Sequence, residues 1–165
     1  KRPIIGNITS AVLTITPFFA VFIYYKNFDS VVFVHATFLF LIIAIRELAK
    51  DLENIKGDLA LNYQTIPIKY GERTSKKMIT ILTVFTLVPA YLLVTKFEIG
   101  YMYYYFYVCI SLLILFLFLL WKSKTKQQYL IFHNILKFII VAGVFSILLI
   151  DVDLVLKRVL QWTAS

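Results

Sequence analysis

"VVFVHATFLFLIIAIRELAKDLENIKGDLALNYQTIPIKYG" occupies Val31–Gly71. Its first part is an unbroken apolar run of the length a membrane span needs, roughly 20 residues. It then turns charged within one helical turn: Arg46, Glu47, Lys50, Asp51, Glu53, Lys56 and Asp58 follow in close order. Charges that abut lipid-like sequence are costly to desolvate, and they mark either a function or a solvated exit from the membrane.

Working outward, the rest of the chain resembles the first part of this stretch. Of 165 residues, 61% are hydrophobic and 16% charged, with a mean hydropathy of +0.83. Soluble domains carry about a quarter charged residues. The composition therefore predicts an all-α, polytopic transmembrane helical bundle, with about five spans near residues 7–25, 31–49, 78–95, 101–121 and 129–150. Pro17 is expected to kink the first, and Pro89 lies inside the third. The single cysteine, Cys109, excludes an internal disulfide and a cysteine-based metal site. The formal net charge is +8. The basic residues gather at the ends of apolar runs and form no stripe with aromatics, which excludes a nucleic-acid partner and fits an orientation signal.

The connections alternate. Lys1-Arg2, the segment 46–77 and "KSKTK" (Lys122–Lys126) are basic; "KNFD" (Lys26–Asp29), "KFEIG" (Lys96–Gly100) and "DVD" (Asp151–Asp153) are neutral or acidic. The positive-inside bias places the basic connections, and the charged stretch with them, in the cytoplasm. Lys157 and Arg158 run against that bias. Tyr101, Tyr103, Tyr104, Tyr105 and Tyr107 form an aromatic belt at the opposite interface. Lys137 snorkels to the cytoplasmic interface, Lys69 and Arg73 anchor there, and His35 and His133 are expected to be packed residues rather than ligands.

If the second helix continues through the charged stretch, Glu47, Asp51, Asn54 and Asp58 fall near one face at steps of four, three and four. Spacing alone leaves two readings open. Mixed charges at a helix end form a solvated face with i,i+4 ion pairs. Alternatively, two carboxylates flanking an amide suit Mg²⁺, which takes one or two carboxylates plus phosphate oxygens. Lys50 and Lys56 would then neutralise phosphate, and Gly57 would permit a strained backbone beside Asp58.

The residue string goes further than the spacing. "RELAKDLENIKGD" followed by "QTIPIKYG" closely resembles the second aspartate-rich motif of the UbiA superfamily of intramembrane prenyltransferases, approximately R-E-x-x-K-D-[IL]-E-D-x-x-G-D and then T-[LI]-P-[VI]-x-x-G. Arg46, Glu47, Lys50, Asp51, Glu53, Gly57, Asp58, Thr65, Pro67 and Gly71 match. This version is most similar to geranylgeranylglyceryl-phosphate transferase-like members. Asn54 departs from the pattern, standing where the family usually has Asp.

The resemblance implies a fold of about nine helices around a central cavity, with a first motif, N-D-x-x-D-x-x-x-D, that these residues lack. It implies that residues 1–165 are the C-terminal half of such a fold, cut from a longer protein and inactive in isolation. It also implies transfer of an isoprenyl group from an isoprenyl diphosphate to an acceptor, with Mg²⁺ as cofactor. Asp51, Asn54 and Asp58 would hold the metal, with Asp51 and Asp58 catalytic; Lys50, Arg46, Lys1 and Arg2 would contact diphosphate. The expected acceptor is lipid-like, of the geranylgeranylglyceryl phosphate type; an aromatic quinone or tetrapyrrole precursor is the alternative. The setting implied is an integral, multi-pass protein among membrane lipids (the inner membrane in a bacterium), with the site facing the cytoplasm. The competing reading from another class is a transporter or scaffold with an acidic cytoplasmic loop. It would need polar residues through the middle of the spans, where few occur.

Overall fold

The structure is a computed structural model, and it describes residues 5–24, 26 and 28–146. Among the described residues there are seven α-helices and one 3-10 turn: α1 (Ile5–Tyr24), α2 (Ser30–Glu53), α3 (Ile55–Ala60), α4 (Ile66–Tyr70), α5 (Glu72–Lys96), the 3-10 turn Gly100–Met102, α6 (Tyr103–Lys122) and α7 (Lys126–Ser146). Five stretches are long and apolar enough to cross a membrane: α1, α2, α5, the 3-10 turn together with α6, and α7. They coincide with the five expected spans. The second and third are longer than expected because the charged stretch is itself helical, running to Glu53 and restarting at Glu72. Pro17 and Pro89 both lie inside their helices. The end of the fifth expected span, "DVD", Lys157 and Arg158 lie outside the described residues.

Helix α2 is the hub. It packs against α1, α5 and α7, while α6 closes the outside of α5 and α7. Its buried residues, among them Ala36, Ile42, Ile43, Ile45, Leu48 and Leu52, spread around the cylinder rather than along one stripe, as expected for a helix surrounded by neighbours. The partners face it with seven-residue patterns. Ile79, Thr83, Thr86, Ala90 and Leu93 do so on α5, and Phe106, Cys109, Leu113, Phe116 and Leu120 run down the inner face of α6. Small residues on α5 let α2 approach closely, and the Thr83 and Thr86 hydroxyls donate back to the carbonyls of Ile79 and Leu82, both at 2.8 Å. The opposite faces carry exposed Phe85, Val88 and Tyr91 on α5 and Tyr104, Val108 and Phe118 on α6. In water such a surface would aggregate; in lipid it is solvated. Tyr105 leaves the expected aromatic belt. It turns inward and donates its hydroxyl to the Ile139 carbonyl at 2.9 Å.

The helix ends that carry 46–77 and 122–126 lie together and are tied by polar contacts. Lys76 is buried, yet its ammonium donates to the Ser123 carbonyl at 2.5 Å and pairs with Glu72 at 2.9 Å. Tyr129 donates to Glu72 (2.5 Å) and to the Ser123 carbonyl (3.1 Å). One lysine and one tyrosine thus fasten α5, the end of α6 and α7. Removing a charged hydrogen-bonding partner from such a place strands the groups it served. Lys76→Ala is expected to lower the unfolding free energy by about 2 kcal/mol. The exposed neighbour Lys77→Ala should cost under about 0.5 kcal/mol. Thermal or denaturant unfolding in detergent reads both, and equal effects would show that the network holds nothing.

Candidate active site

The charged stretch is not one continuous helix. At Asn54 the backbone opens to φ −105°, ψ 21°, ending α2 and starting α3. The four-residue register survives the break, because the Asn54 N–H bonds the Lys50 carbonyl (3.0 Å) and the Asp58 N–H bonds the Asn54 carbonyl (2.9 Å). α3 stops in a Schellman motif. Asn62 takes the left-handed conformation (φ 53°), its N–H reaches the Leu59 carbonyl, and the Tyr63 N–H reaches the Asp58 carbonyl at 2.8 Å. Asp58 is therefore fixed by backbone bonds on both sides. After a short loop, α4 starts on Thr65-Ile66-Pro67, and Gly71 (φ +86°) makes the turn into α5 that a side chain would strain.

Gly57 has a different reason to be glycine from the one expected. It lies inside α3, and its backbone is not strained. A Cβ there would sit 2.6 Å from Asn54 Oδ1. The missing side chain makes room for the Asn54 amide, whose Nδ2 reaches Asp58 Oδ1 at 3.3 Å. Asn54 thus stands beside Asp58 as a hydrogen-bond donor.

Three carboxylates of the stretch, Glu47, Asp51 and Asp58, are almost fully buried. Glu47 accepts from Arg46 Nη1 and Lys50 Nζ, both at 3.3 Å, so the two cations are gathered one turn before Asp51. Asp51 Oδ2 accepts from Asn7 Nδ2 of α1 at 2.9 Å. Asp58 Oδ2 is buried and has no hydrogen-bond partner among the described residues; neither do Arg46 Nε and Thr65 Oγ1 of the same segment. Orphaned buried polar atoms are rare, and three of the five among the described residues lie in this segment, the others being His35 Nε2 and His133 Nε2. A buried, unpartnered carboxylate oxygen is a hard ligand that fits a divalent cation. Among the described residues no group of three or more His, Cys, Asp or Glu side chains could hold a metal ion by itself. A Mg²⁺ site that shares its shell with phosphate oxygens needs no such cage.

Lys56 does not join this cluster. Two residues from Asp58 on a helix means roughly 200° around it, and Lys56 lines a separate pocket with Lys124 and Lys126. Lys1 and Arg2 lie outside the described residues. Two partners escaped the reading of the sequence: Asn7, and His133, whose Nδ1 lies 3.0 Å from Glu53 Oε2. Asn7 had a faint signal, as a lone amide opening an apolar helix. His133 had none, since Glu53 is 80 residues away.

Phe33, Thr37, Phe40, Ala44 and Asp51 recur at four, three, four and seven residues and so share one face of α2. Opposite it stand Val12, Ile15, Thr16 and Phe19 of α1, enclosing an apolar groove of about 400 Å³. The groove's lining on α2 ends at Phe40, about three turns before Asp51 on that face.

With this geometry in place, the comparison with known sequences is decisive: the profile of the UbiA prenyltransferase family matches residues 1–140. The chain belongs to that family. It is an integral, multi-pass membrane protein of it, by its five apolar helices. Its relatives include the digeranylgeranylglyceryl phosphate synthase of Thermococcus sibiricus, 38% identical over 103 residues, which is 62% of this chain and 36% of the relative. The proteins of the same name from Pyrococcus furiosus and Methanosphaera stadtmanae are 36% identical over 92 residues and 33% over 93. These cover 54% and 56% of this chain, and 32% and 34% of the relatives. The matched region thus spans about a third of the relatives' length. No solved structure matches the chain significantly.

The unequal satisfaction of the two aspartates has a measurable consequence in this UbiA family member. Asp58→Asn keeps the contact with Asn54 and removes a buried, unpartnered anion. It is expected to leave stability unchanged or raise it by about 1 kcal/mol in metal-free detergent. Asp51→Ala loses the Asn7 bond and is expected to cost about 1 kcal/mol. Thermal unfolding compares them, and a clear loss on Asp58→Asn would mean that this carboxylate is structurally compensated after all.

Proposed function

We propose that this chain provides one side of a Mg²⁺-dependent prenyl-transfer site. The site moves an isoprenyl group from an isoprenyl diphosphate to a lipid-type acceptor resembling geranylgeranylglyceryl phosphate, at the cytoplasmic face of the membrane. The observation that carries the reading is the buried, unpartnered oxygen of Asp58, two turns beyond Asp51, in a string that matches the family motif. The relatives' shared name supports the acceptor class.

Asp51 and Asp58 are the ligands this chain offers to the metal. Asn54 contributes through its amide, holding Asp58 Oδ1. When bound, Mg²⁺ neutralises the leaving diphosphate. Lys50, two-fifths exposed in its side chain, can swing from Glu47 to a diphosphate oxygen, and Arg46, with its orphaned Nε, lies beside it. Lys1 and Arg2 are assigned to diphosphate on the motif alone. Asn7 orients the Asp51 carboxylate. The groove below Asp51 takes the isoprenyl chain and keeps water from the allylic cation left when the C–O bond breaks. The acceptor oxygen attacks that carbon and gives up its proton, and diphosphate departs with the bonding electrons.

In this reading residues 1–165 are the C-terminal helical half of the enzyme, and the facing half of the clamp comes from a first aspartate motif. The chain alone, inserted in membranes, is expected to show no transfer.

The test is a membrane assay of the protein together with that half, using labelled geranylgeranyl diphosphate and a panel of geranylgeranylglyceryl phosphate, an aromatic acid and a tetrapyrrole. Asp51→Ala and Asp58→Ala should each lower turnover about a hundredfold or more at unchanged protein level. Asn54→Asp adds a charge at the shell and should shift the Mg²⁺ titration. Normal turnover in both alanine variants would return the stretch to a solvated helix end, and turnover only with an aromatic or tetrapyrrole acceptor would replace the lipid acceptor.

A further inference from the structure

Beside the acidic motif, between the junction of α2 and α3 and the starts of α5 and α7, lies a polar pocket of about 290 Å³. Its charged and polar lining is Lys56, Lys124, Lys126, Glu53, Glu72, Tyr129 and Asn54, whose amide also reaches Asp58. Both carboxylates are already engaged: Glu53 by His133, Glu72 by Lys76 and Tyr129. The three lysines, by contrast, make no ion pair among the described residues. The pocket thus holds three cations, of which Lys124 also acts on Glu72 through space, in front of two hydrogen-bonded acids.

Two further observations say what those cations meet. The turn that carries Lys124 and Lys126 is held rigidly. Thr125 and Gln128 form a capping box at the start of α7: Gln128 Oε1 accepts from the Lys124 and Thr125 N–H groups at 2.9 and 3.1 Å, and the Gln128 N–H returns to Thr125 Oγ1 at 3.4 Å. The pocket also sits at a defined depth. Just before the turn, the half-exposed Trp121 donates to Thr80 Oγ1 at 3.2 Å, and Lys122 lies 4.2 Å over the Phe118 ring. A tryptophan and a lysine folded back on an aromatic are the anchors of a helix end at headgroup level. A fixed basic pocket at that level, between the ends of membrane helices, matches the phosphate of an anionic lipid.

We propose that Lys56, Lys124 and Lys126 form a binding site for the phosphate of an anionic membrane phospholipid, separate from the transfer site on the Asp51 face. The chemistry is that of a phosphate ester held by three ammonium groups, and the two possible sources are a lipid headgroup and a free phosphate. The pocket shares Asn54 with the aspartate cluster, but the proposed transfer assigns none of the three lysines to the metal or to diphosphate, so their site does not depend on that reading.

Native mass spectrometry of the purified protein in neutral detergent tests it. The probes are phosphatidylglycerol, phosphatidylcholine with the same acyl chains, and inorganic phosphate as competitor. The protein should retain phosphatidylglycerol in preference to phosphatidylcholine. The triple variant Lys56→Gln, Lys124→Gln, Lys126→Gln should bind it on the order of a hundredfold more weakly. The corresponding triple Lys→Arg variant should keep it, and Lys96→Gln at the other membrane face should change nothing. Equal retention of the two lipids, an unaffected triple Gln variant, or equal loss in the Gln and Arg triples would overturn the site. Displacement of the lipid by millimolar phosphate would overturn the lipid as its occupant.

Discussion

The structure turns on the burial of acid at the end of a membrane helix. α2 is the hub of the bundle because it is apolar on every side, and being the hub it carries its own terminal carboxylates under its neighbours. Each of those acids must then be matched by something, since an unmatched buried charge costs several kcal/mol. Glu47 takes Arg46 and Lys50, Asp51 takes Asn7 from α1, and Glu53 takes His133 from α7. Across the loop, Glu72 takes Lys76 and Tyr129. The partners come from α1, α2, α5 and α7, so the pairing of charge also aligns those helix ends at one level. Asp58 is the exception in this set: one oxygen is served by Asn54 and the other has no hydrogen-bond partner among the described residues.

That pattern explains which parts of the molecule were legible in the sequence. The spans were, because 20-residue apolar runs have few alternatives in lipid. The importance of 46–71 was, because charge beside such a run demands a reason and the string matches a family motif over its whole length. The break at Asn54 was not. The residues on either side are good helix formers, and the i→i−4 bonds persist across the break, so periodicity alone predicts one continuous helix. The role of Gly57 was also hidden: glycine suggested backbone freedom, while the actual demand is space for the Asn54 amide. The long-range partners, Asn7 and His133, belong to other helices and leave no local trace.

Tyr105 makes the same point away from the site. By composition it belongs to a run of interfacial tyrosines, and Tyr101, Tyr104 and Tyr107 are indeed exposed. Residue 105 falls on the inner face of α6, where its hydroxyl needs a partner. It finds the Ile139 carbonyl over Gly143, where a Cβ would stand 2.7 Å from the phenolic oxygen. Gly143 thus gives α7 the close approach that Tyr105 requires, a pairing visible only once the two helices are side by side.

The helical register that persists across Asn54 lets one helix end serve two surfaces. On a continuous cylinder, Asp51 and Asp58 are seven residues apart and Lys56 lies well round from both. The acids therefore collect on the side of the α1–α2 groove, and the lysine goes to the side of α7. The Glu53–His133 contact ties α2 to α7. In the proposed readings a phosphate at Lys124 and Lys126 faces the hydrogen-bonded acids Glu53 and Glu72, whereas a diphosphate at Lys50 faces Asp58, whose Oδ2 has no hydrogen-bond partner among the described residues. On those readings the segment would meet one anion with lysines alone and the other with cations and a metal together, and the difference lies in which carboxylates the fold has already hydrogen-bonded.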